Sequence, residues 1–309
     1  MSALSAIHNL FLPISVLAYT LNAGSITIDK ILIKHSLPKP IVYTFYVNVL
    51  QLAALLLLPW AKNFGAPREM VMAVFSGIAA ALALQAMYTS LQKNEASVVG
   101  PIVGMLNPFF ALIIGSFLFH QLLTPDQYTG FFVLLSGSAI LTANIWFSKL
   151  RFDDRFNWMI LSGLLFAVSY VLLAEAYKGM DFISGLVAAR VSSGLFVLTF
   201  LLWPSLRQNI FASRKKDREV STKTSAILLF SGQTMGAVQG LLISFAISLA
   251  NPALVNSLFG IQYIVIIAVA LALAKKRPGL LDETLTKNVI ALKTAGALII
   301  SLGLFLLTK

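Results

Sequence analysis

The stretch Ala96–Phe119 reads ASVVGPIVGMLNPFFALIIGSFLF and contains no charged side chain. A helix needs roughly 20 predominantly apolar residues to cross a bilayer. The apolar residues here form a continuous run, whereas a strand of a transmembrane barrel alternates apolar and polar residues with a period of two. The stretch therefore predicts one membrane-spanning helix.

Nine more stretches of the 309-residue chain have similar length and character. The ten predicted spans are Phe11–Ile33, Ile41–Trp60, Met70–Leu91, Ala96–Phe119, Gln127–Phe147, Trp158–Tyr177, Phe182–Trp203, Ser225–Leu249, Ala253–Ala274 and Val289–Leu307. Hydrophobic residues make up 58% of the chain and charged residues only 11%, compared with about 25% charged residues in soluble domains. We therefore predict an all-α, polytopic integral membrane protein.

The ten spans fall into two sets of five that can be aligned with each other, which predicts an internal duplication. A shift of 157 residues places Asn94-Glu-Ala-Ser-Val98 on Asn251-Pro-Ala-Leu-Val255. Because five is odd, the second set must enter the membrane in the opposite orientation, as in inverted-repeat transporters. We predict two five-helix repeats, residues 1–148 and 149–309, and this organisation favours a secondary transporter.

The 23 lysines and arginines are distributed unevenly over the predicted loops. The odd-numbered loops and adjoining span ends carry Lys30, Lys34, Lys39, Lys93, Lys149, Arg151, Arg155, Arg207, Arg214, Lys215, Lys216, Arg218, Lys223, Lys275, Lys276, Arg277, Lys287 and Lys293. The opposite side carries only Lys62, Arg68, Lys178 and Lys309. Since positive residues accumulate in cytoplasmic loops, we expect a multi-pass protein of the cell membrane with both termini outside.

The basic loop Arg207–Lys223 is expected to set this orientation and to contact anionic lipid. Nucleic acid is not expected as a partner, because these charges lack interleaved aromatic residues. The apolar run at the N-terminus has no basic region before it and is longer than the core of a signal peptide, so we expect it to remain as the first span.

The chain shows no pattern for a metal, a cofactor or a catalytic group. It has no cysteine, and its three histidines, His8, His35 and His120, have no metal-binding spacing. Paired carboxylates, a histidine cluster or a serine beside a base are also missing at membrane depth. We therefore predict no metal, no cofactor and no enzyme activity.

One cation, Arg190, lies inside a predicted span and not in a loop. A guanidinium at that depth costs about 3 kcal/mol on insertion scales, so it should face a partner or a wet cavity. Two roles are open. Arg190 could anchor a substrate carboxylate or phosphate through its planar fork, or it could pair with Glu175 near the end of the sixth span. Ser193 and Gly194 share its helix face and are expected to leave room beside it.

Asp29 and Lys30 form a second charged pair at membrane depth. Asn22, Ser25 and Asp29 lie on one helix face, at spacings of three and four. The Asp29 carboxylate could carry a proton through a transport cycle. Alternatively, Lys30 extends to the interface and Asp29 simply accompanies it.

Polar residues recur on spans three, four, eight and nine. With Asn22 on the first span, the candidate substrate-binding residues are Gln85, Tyr88, Asn107, Gln239, Asn256 and Tyr263. Amides and phenols beside glycine suit a cavity that makes few, directional hydrogen bonds to a small solute. The alternative is that these side chains bond between helices and only hold the bundle together.

Three parts of the chain resemble the drug/metabolite transporter superfamily, specifically its EamA-like ten-helix members. They are Tyr88–Val98 (YTSLQKNEASV), Asn107-Pro108 with the following His120–Thr124 and Gln127–Gly130, and Ala246–Val255 (AISLANPALV). Arg190 is similar to an arginine often found early in the second span of a repeat. The chain departs from the family pattern at Gln121, where a glutamate is common, and at Phe45 or Tyr46, where a first-half arginine would stand.

The resemblance implies transport of a small metabolite, such as an amino acid, nucleobase, sugar or sugar phosphate, through a cavity between two five-helix halves. Arg190 favours an anionic solute, and proton coupling through Asp29 or Glu175 is one option. A multidrug or organic-cation exporter of the same fold is the alternative, and a membrane receptor or scaffold is a third class. The better-known family members have cytoplasmic termini, whereas the charges here place both termini outside. The sequence does not decide the oligomeric state, and a monomer would suffice.

Overall fold

The computed structural model of the chain describes residues 10–33, 39–93, 96–141, 154–216, 223–265, 268 and 287–307, which contain helices and turns but no strand. The helices are α1 (Phe11–Ile33), α2 (Pro40–Leu50, continued by the 3-10 helix Gln51–Trp60), α3 (Pro67–Lys93), α4 (Ala96–Phe119), α5 (Pro125–Leu141), α6 (Asp154–Ala176), α7 (Phe182–Leu198, continued by the 3-10 helix Thr199–Leu202), α8 (Pro204–Lys216), α9 (Lys223–Leu249), α10 (Pro252–Ser257) and α11 (Lys287–Leu307). Five of these helices begin with proline, which is favoured there because the first turn needs no N–H donor.

Five described helices are long and apolar enough to cross a membrane. They are Pro40–Trp60, Pro67–Gln92, Ile102–Phe119, Phe156–Ala176 and Phe182–Leu202. Large apolar side chains of these helices are exposed, including Phe117 at 80% and Leu202 at 77%, and lipid is the environment that suits such a surface. The prediction of an all-α membrane protein is confirmed, while the number of ten spans and the inverted repeat stay predictions.

The described helices form two compact units, and each unit combines helices from both halves of the sequence. Unit 1 contains α1, α5, α9, α10 and α11, and unit 2 contains α2, α3, α4, α6, α7 and α8. The predicted repeats, residues 1–148 and 149–309, follow one another along the sequence. Each spatial unit, in contrast, contains helices from both repeats. The duplication itself stays a prediction.

Helix α3 packs against both α6 and α7 in unit 2. A Cβ atom on Gly77 of α3 would collide with the carbonyl oxygen of Ala189 on α7. Between α3 and α6, the buried Ser162 hydroxyl donates to the Ala83 carbonyl at 3.0 Å. Small residues let membrane helices approach this closely, and the contact at Ala189 positions the segment of α7 that carries Arg190.

In unit 1, α1 packs on α9 and α5 packs on α11. The Ser25 hydroxyl donates to the carbonyl of Gly232 on α9 at 2.9 Å. A Cβ atom on Gly137 of α5 would lie 2.9 Å from the backbone nitrogen of Ile300 on α11. Hydrogen bonds from short side chains and close backbone contacts thus hold both helix pairs together.

The predicted basic loop Arg207–Lys223 is wrong in part, because its first half belongs to helix α8. Ile210 of α8 is fully buried in a core that includes Phe45 of α2. Lys39, directly before α2, donates from Nζ to Oδ1 of Asn209 at 2.7 Å. The many basic residues of this stretch made it look like a loop in the sequence. It contains a short helix that packs through one apolar face at the start of α2.

Asp181 caps α7 and ties its start to the chain that follows α2. Its Oδ1 accepts hydrogen bonds from the backbone N–H groups of Ile183 and Ser184, each at 3.1 Å. Its Oδ2 accepts from the N–H groups of Lys62 (3.1 Å) and Asn63 (2.6 Å) and from the Ser184 hydroxyl (2.5 Å). Burial raises the pKa of Asp181, but the hydrogen bonds together outweigh it and lower the pKa to about 2.

These contacts show that α2 and α7 run antiparallel within unit 2. The start of α2 contacts α8, which follows the end of α7, and the chain after α2 contacts the cap at the start of α7. Lys39 and Arg207 therefore lie at one end of the unit, and Lys62 and Asp181 lie at the other. Which face of the membrane each end of the unit lies on stays a prediction.

We expect Asp181→Ala to destabilise the folded protein by about 1–2 kcal/mol, because the cap and the contacts to Lys62 and Asn63 are lost together. The pKa of about 2 lies below the ordinary 3.8, so the carboxylate stabilises the fold fully above pH 3.8 and loses this effect as the pH falls toward 2. Thermal unfolding of the purified protein should therefore differ between wild type and variant at pH 7 and converge near pH 2.

The matched control is Asp126→Ala, which removes an exposed acid from the first turn of α5. Asp126 accepts no hydrogen bond within the described ranges, so this variant should unfold close to the wild-type temperature. Equal losses in the two variants would contradict the role assigned to Asp181.

Candidate functional site

Arg190 lies on α7, between two and three turns after the Asp181 cap, and is half-buried in unit 2. It donates from Nη1 to Oε1 of Gln51 at 3.3 Å. Gln51 is the first residue of the 3-10 segment that continues α2. The predicted intramembrane cation is therefore in contact with an amide of a neighbouring helix.

Gln51 belongs to a network of amide and hydroxyl groups between α2 and α7. Its Nε2 donates to Oδ1 of Asn48 at 3.3 Å, and the Ser193 hydroxyl donates to the same oxygen. Asn48 is fully buried, and its Nδ2 donates to the Thr44 carbonyl at 2.8 Å. Hydrogen-bonded polar networks of this kind hold their members in one arrangement, so the amide that faces Arg190 is itself held in place.

Thr44, Asn48 and Gln51 were missed by the sequence analysis, although a signal for them exists. Their spacings of four and three place them on one helix face of an otherwise apolar span. The same spacing singled out Asn22 and Ser25 on the first span. A search of every span for polar residues on one face would have found the α2 network.

The prediction that Gly194 leaves room beside Arg190 is wrong. A Cβ atom on Gly194 would lie 2.5 Å from Cδ2 of Leu52 and 3.0 Å from the carbonyl oxygen of Asn48. The absence of a side chain at Gly194 therefore lets α7 pack closely on α2.

Two tyrosines, Tyr170 and Tyr177, lie on α6 and in the turn that follows it. The Arg190 guanidinium has an electrostatic effect on both hydroxyl groups. The Tyr177 ring packs on α7 at Gly185, where a Cβ atom would lie 2.6 Å from Cε1 of that ring. The Tyr177 hydroxyl is buried and has no hydrogen-bond partner in the part of the chain that the structure describes.

Glu175 has partners other than Arg190. Its Oε1 lies 2.5 Å from Nζ of Lys178 and accepts a hydrogen bond of 2.7 Å from Nε2 of Gln121. His120 follows the end of α4 and has a left-handed φ of 52°. This conformation lets the Gln121 N–H donate to the Gly115 carbonyl at 2.9 Å. The turn thus positions Gln121 for its contact with Glu175. The predicted pair of Arg190 with Glu175 is therefore replaced by a local pair of Glu175 with Lys178.

The structure gives the other predicted binding residues of unit 2 surroundings of their own. Gln85 donates from Nε2 to the Thr89 hydroxyl of the same helix at 3.2 Å. Tyr88 packs edge-on against Tyr43, with ring centroids 4.6 Å apart. Asn107 is 9% exposed, and its side-chain oxygen accepts no hydrogen bond in the described part of the chain. Their role in substrate binding stays a prediction.

Unit 1 brings three of the predicted binding residues together. Asn22 donates from Nδ2 to Oε1 of Gln262 at 2.6 Å, and the Tyr19 hydroxyl donates to Oδ1 of Asn256 at 3.3 Å. Tyr263 follows Gln262 directly in the sequence. Asn256 and Gln262 are only 2% and 4% exposed. Asn22 and Asn256 thus bond between helices, as the alternative interpretation expects, while Tyr19 and Gln262 were missed.

Gln239, Asp29 and Lys30 complete the set of predicted residues. Gln239 is half-buried on α9. Asp29 and Lys30 lie on α1, but their side chains are outside the described part of the structure, so their proposed roles stay predictions. Within the described ranges, no three His, Asp or Glu residues are grouped as metal ligands would be.

Comparison with known proteins adds information on the fold alone. No family model and no curated protein matches the chain. Among solved structures, 29 chains match. One is a crystal structure of a protein with 14% sequence identity and a TM-score of 0.62, and the match covers 97% of this chain and 96% of that chain. The chain therefore has the same fold as that protein over nearly its whole length.

Proposed function

We propose that the chain is a secondary transporter that carries a small anionic solute across the cell membrane by alternating access. The observation that carries this proposal is Arg190, a cation of a membrane-spanning helix that contacts the Gln51 amide at 3.3 Å. The acid predicted as its structural partner, Glu175, is engaged by Lys178 and Gln121.

The chemistry of the guanidinium favours a carboxylate as the solute group. A guanidinium inside a membrane costs about 3 kcal/mol, and polar partners such as the Gln51 amide reduce that cost. The planar fork of a guanidinium can bind a carboxylate through two parallel hydrogen bonds. In this proposal, the bound solute pairs with the guanidinium during part of the transport cycle.

The inverted repeat is part of this proposal, and the helix pairs within each unit support it. Under the predicted duplication, spans one to five correspond to spans six to ten. The duplication then maps the helix pair α1–α9 onto the pair α6–α3. It maps each of the pairs α2–α7 and α5–α11 onto itself, because their two helices are equivalent to each other. All four pairs are in contact. A pair that corresponds to itself must run antiparallel under an inverted repeat, as α2 and α7 do.

The α5–α11 pair has the same antiparallel arrangement. Gly130, near the start of α5, lies against Leu307 at the end of α11, and Gly137 lies against Ile300, one to two turns earlier on α11. Ten spans, two inverted repeats and membership of the EamA-like drug/metabolite transporters together form the architecture that we propose.

A second candidate is an exporter of organic cations, and Glu175 favours it. This acid is 8% exposed and lies at the end of a membrane-spanning helix. Intramembrane carboxylates of this kind bind cations or carry protons in transporters. In the anion transporter, the same residue or Asp29 would instead couple transport to protons.

We expect carboxylates to raise the unfolding temperature of the purified protein, because a ligand that binds only the folded state stabilises it. The panel should contain amino acids, mono- and dicarboxylates, nucleobases, sugar phosphates and organic cations. Arg190→Ala should abolish the effect of the stabilising anion. Arg190→Lys should restore it only in part, since an ammonium lacks the planar fork.

Arg207→Ala is the matched control, because it removes an exposed arginine of the same unit. This variant should respond to the anion as the wild type does. A folded Arg190→Ala protein that keeps the full response would refute the anion anchor, and a response to hydrophobic cations alone would favour the exporter with Glu175 as its binding acid.

The orientation can be tested with single cysteines, because the natural chain has none. Lys62 and Arg207 are both exposed and lie at opposite ends of unit 2. In intact cells, a membrane-impermeant maleimide should label Lys62→Cys and should label Arg207→Cys only after permeabilisation. The reverse pattern would place both termini in the cytoplasm and overturn the orientation deduced from the charges.

A further inference from the structure

Helix α8 folds back against the end of α7 and does not continue it. The backbone is extended at Trp203, between the 3-10 segment that follows α7 and the start of α8. Ile210 of α8 and Val197 of α7 are fully buried and share a core with Phe45 of α2. In one straight helix, Val197 and Ile210 would be about 20 Å apart. Because the apolar segment that contains α7 ends at Leu202, α8 lies at the level where the chain leaves the apolar layer.

The exposed part of α8 combines a cation with aromatic rings. Arg207 and Phe211 are one helical turn apart, so they lie on the same side of the helix. Trp203 comes one turn before Arg207, whose backbone N–H donates to the Trp203 carbonyl at 3.0 Å. Trp203 and Phe211 are 56% and 51% exposed, and Arg207 is exposed as well. We call these three residues the Trp-Arg-Phe face.

The Arg207 guanidinium is available to a partner from outside the chain, because it makes no hydrogen bond and no ion pair with the residues that the structure describes. Lys39 lies against α8 through the Oδ1 atom of Asn209 at 2.7 Å. The Asn209 amide is neutral, so this contact adds a positive charge beside the helix. Residues 204–216 contain no acid, and the helix ends in Arg214-Lys-Lys216. Helix α8 therefore combines positive charge with exposed aromatic surface.

This combination fits the headgroup region of a phospholipid bilayer. Tryptophan is enriched at the boundary between membrane and water, and helices that lie in this boundary combine lysine and arginine with tryptophan and phenylalanine. The Trp-Arg-Phe face also continues the exposed apolar surface of the membrane-spanning segment, because Leu202, directly before Trp203, is exposed. Lipid in contact with Leu202 would have its headgroups at the level of Arg207.

We infer that the Trp-Arg-Phe face of α8 binds an anionic phospholipid, with the Arg207 guanidinium on the lipid phosphate and the rings of Trp203 and Phe211 against the upper acyl chains. An anionic headgroup is favoured over a zwitterionic one, since α8 and Lys39 bring only positive charge to this surface. The charge distribution in the sequence predicted lipid contact for a loop, whereas the folded chain provides one helix face for it. This site is separate from Arg190 and does not depend on transport.

The test compares phosphatidylglycerol with phosphatidylcholine of the same acyl chains, each titrated into the purified protein in neutral detergent. Phosphatidylglycerol should raise the unfolding temperature more, because a ligand that binds only the folded state stabilises it. Arg207→Ala should lower the apparent affinity for phosphatidylglycerol roughly fivefold, the effect of one cation at an anionic lipid surface. Added sodium chloride should reduce the preference of the wild type. Equal stabilisation of the wild type by both lipids would overturn the inference.

Arg68→Ala is the matched control. Arg68 is also an exposed arginine of unit 2, and its side chain has no partner in the described part of the chain. It lies in the first turn of α3 at the opposite end of the unit, because its neighbour Glu69 packs against Gly179, close to the Asp181 cap. Both variants should unfold at the wild-type temperature without lipid, and Arg68→Ala should keep the full preference for phosphatidylglycerol. Equal losses in the two variants would indicate unspecific charge attraction and contradict a site on α8.

Soluble glycerol phosphate distinguishes a lipid site from a phosphate site. It should not stabilise the protein, since it lacks the acyl chains that contact the two rings. Stabilisation as strong as that by phosphatidylglycerol would replace the lipid by a soluble phosphate and overturn the inference. The solute measurements at Arg190 contain no added lipid, so Arg207→Ala remains a control there.

The depth of Trp203 gives a second, independent readout. A variant that keeps Trp203 and replaces the other three tryptophans by phenylalanine is reconstituted into bilayers with brominated acyl chains. Bromines near the headgroup should quench the Trp203 fluorescence more than bromines near the bilayer centre. No quenching at either depth would place α8 away from the bilayer and refute the lipid contact.

Discussion

The cost of a guanidinium inside a membrane is the constraint on which the rest of this account depends. Arg190 belongs to an apolar helix, where its charge is stable only beside polar groups. The chain supplies the Gln51 amide, supported by the buried Asn48 and by Ser193. These groups are polar partners of the guanidinium inside the helix bundle, and the anion site at Arg190 is part of the proposed function.

Close helix packing makes this arrangement possible. Gly77 brings α3 against the backbone of α7 next to Arg190, and Gly194 brings α7 against α2 next to Asn48. Polar side chains between the helices then reach partners at hydrogen-bond distance, and the outward apolar residues are left for lipid. Packing by small residues and binding by polar ones are therefore consequences of the same short helix separations.

Much of the fold could be predicted from the sequence, because uninterrupted apolar runs and helix-starting prolines are local signals. The start and end of α1 and α4 agree with the predicted spans, and Arg190 stood out by its charge alone. The partners of Arg190 and Glu175 could not be predicted, since they depend on which helices pack together. Helix α8 was missed because Ile210, the buried residue among its described side chains, is surrounded in the sequence by polar and basic residues.

The central claim is that the chain moves its solute by alternating access, and counterflow in proteoliposomes tests it most directly. Vesicles holding the purified protein are loaded with the stabilising unlabelled anion and diluted into a trace of the same labelled compound. The account predicts transient uptake far above that of empty vesicles, and no such uptake with the Arg190→Ala protein. Tight binding of the anion without any counterflow would contradict transport and would identify the chain as a receptor.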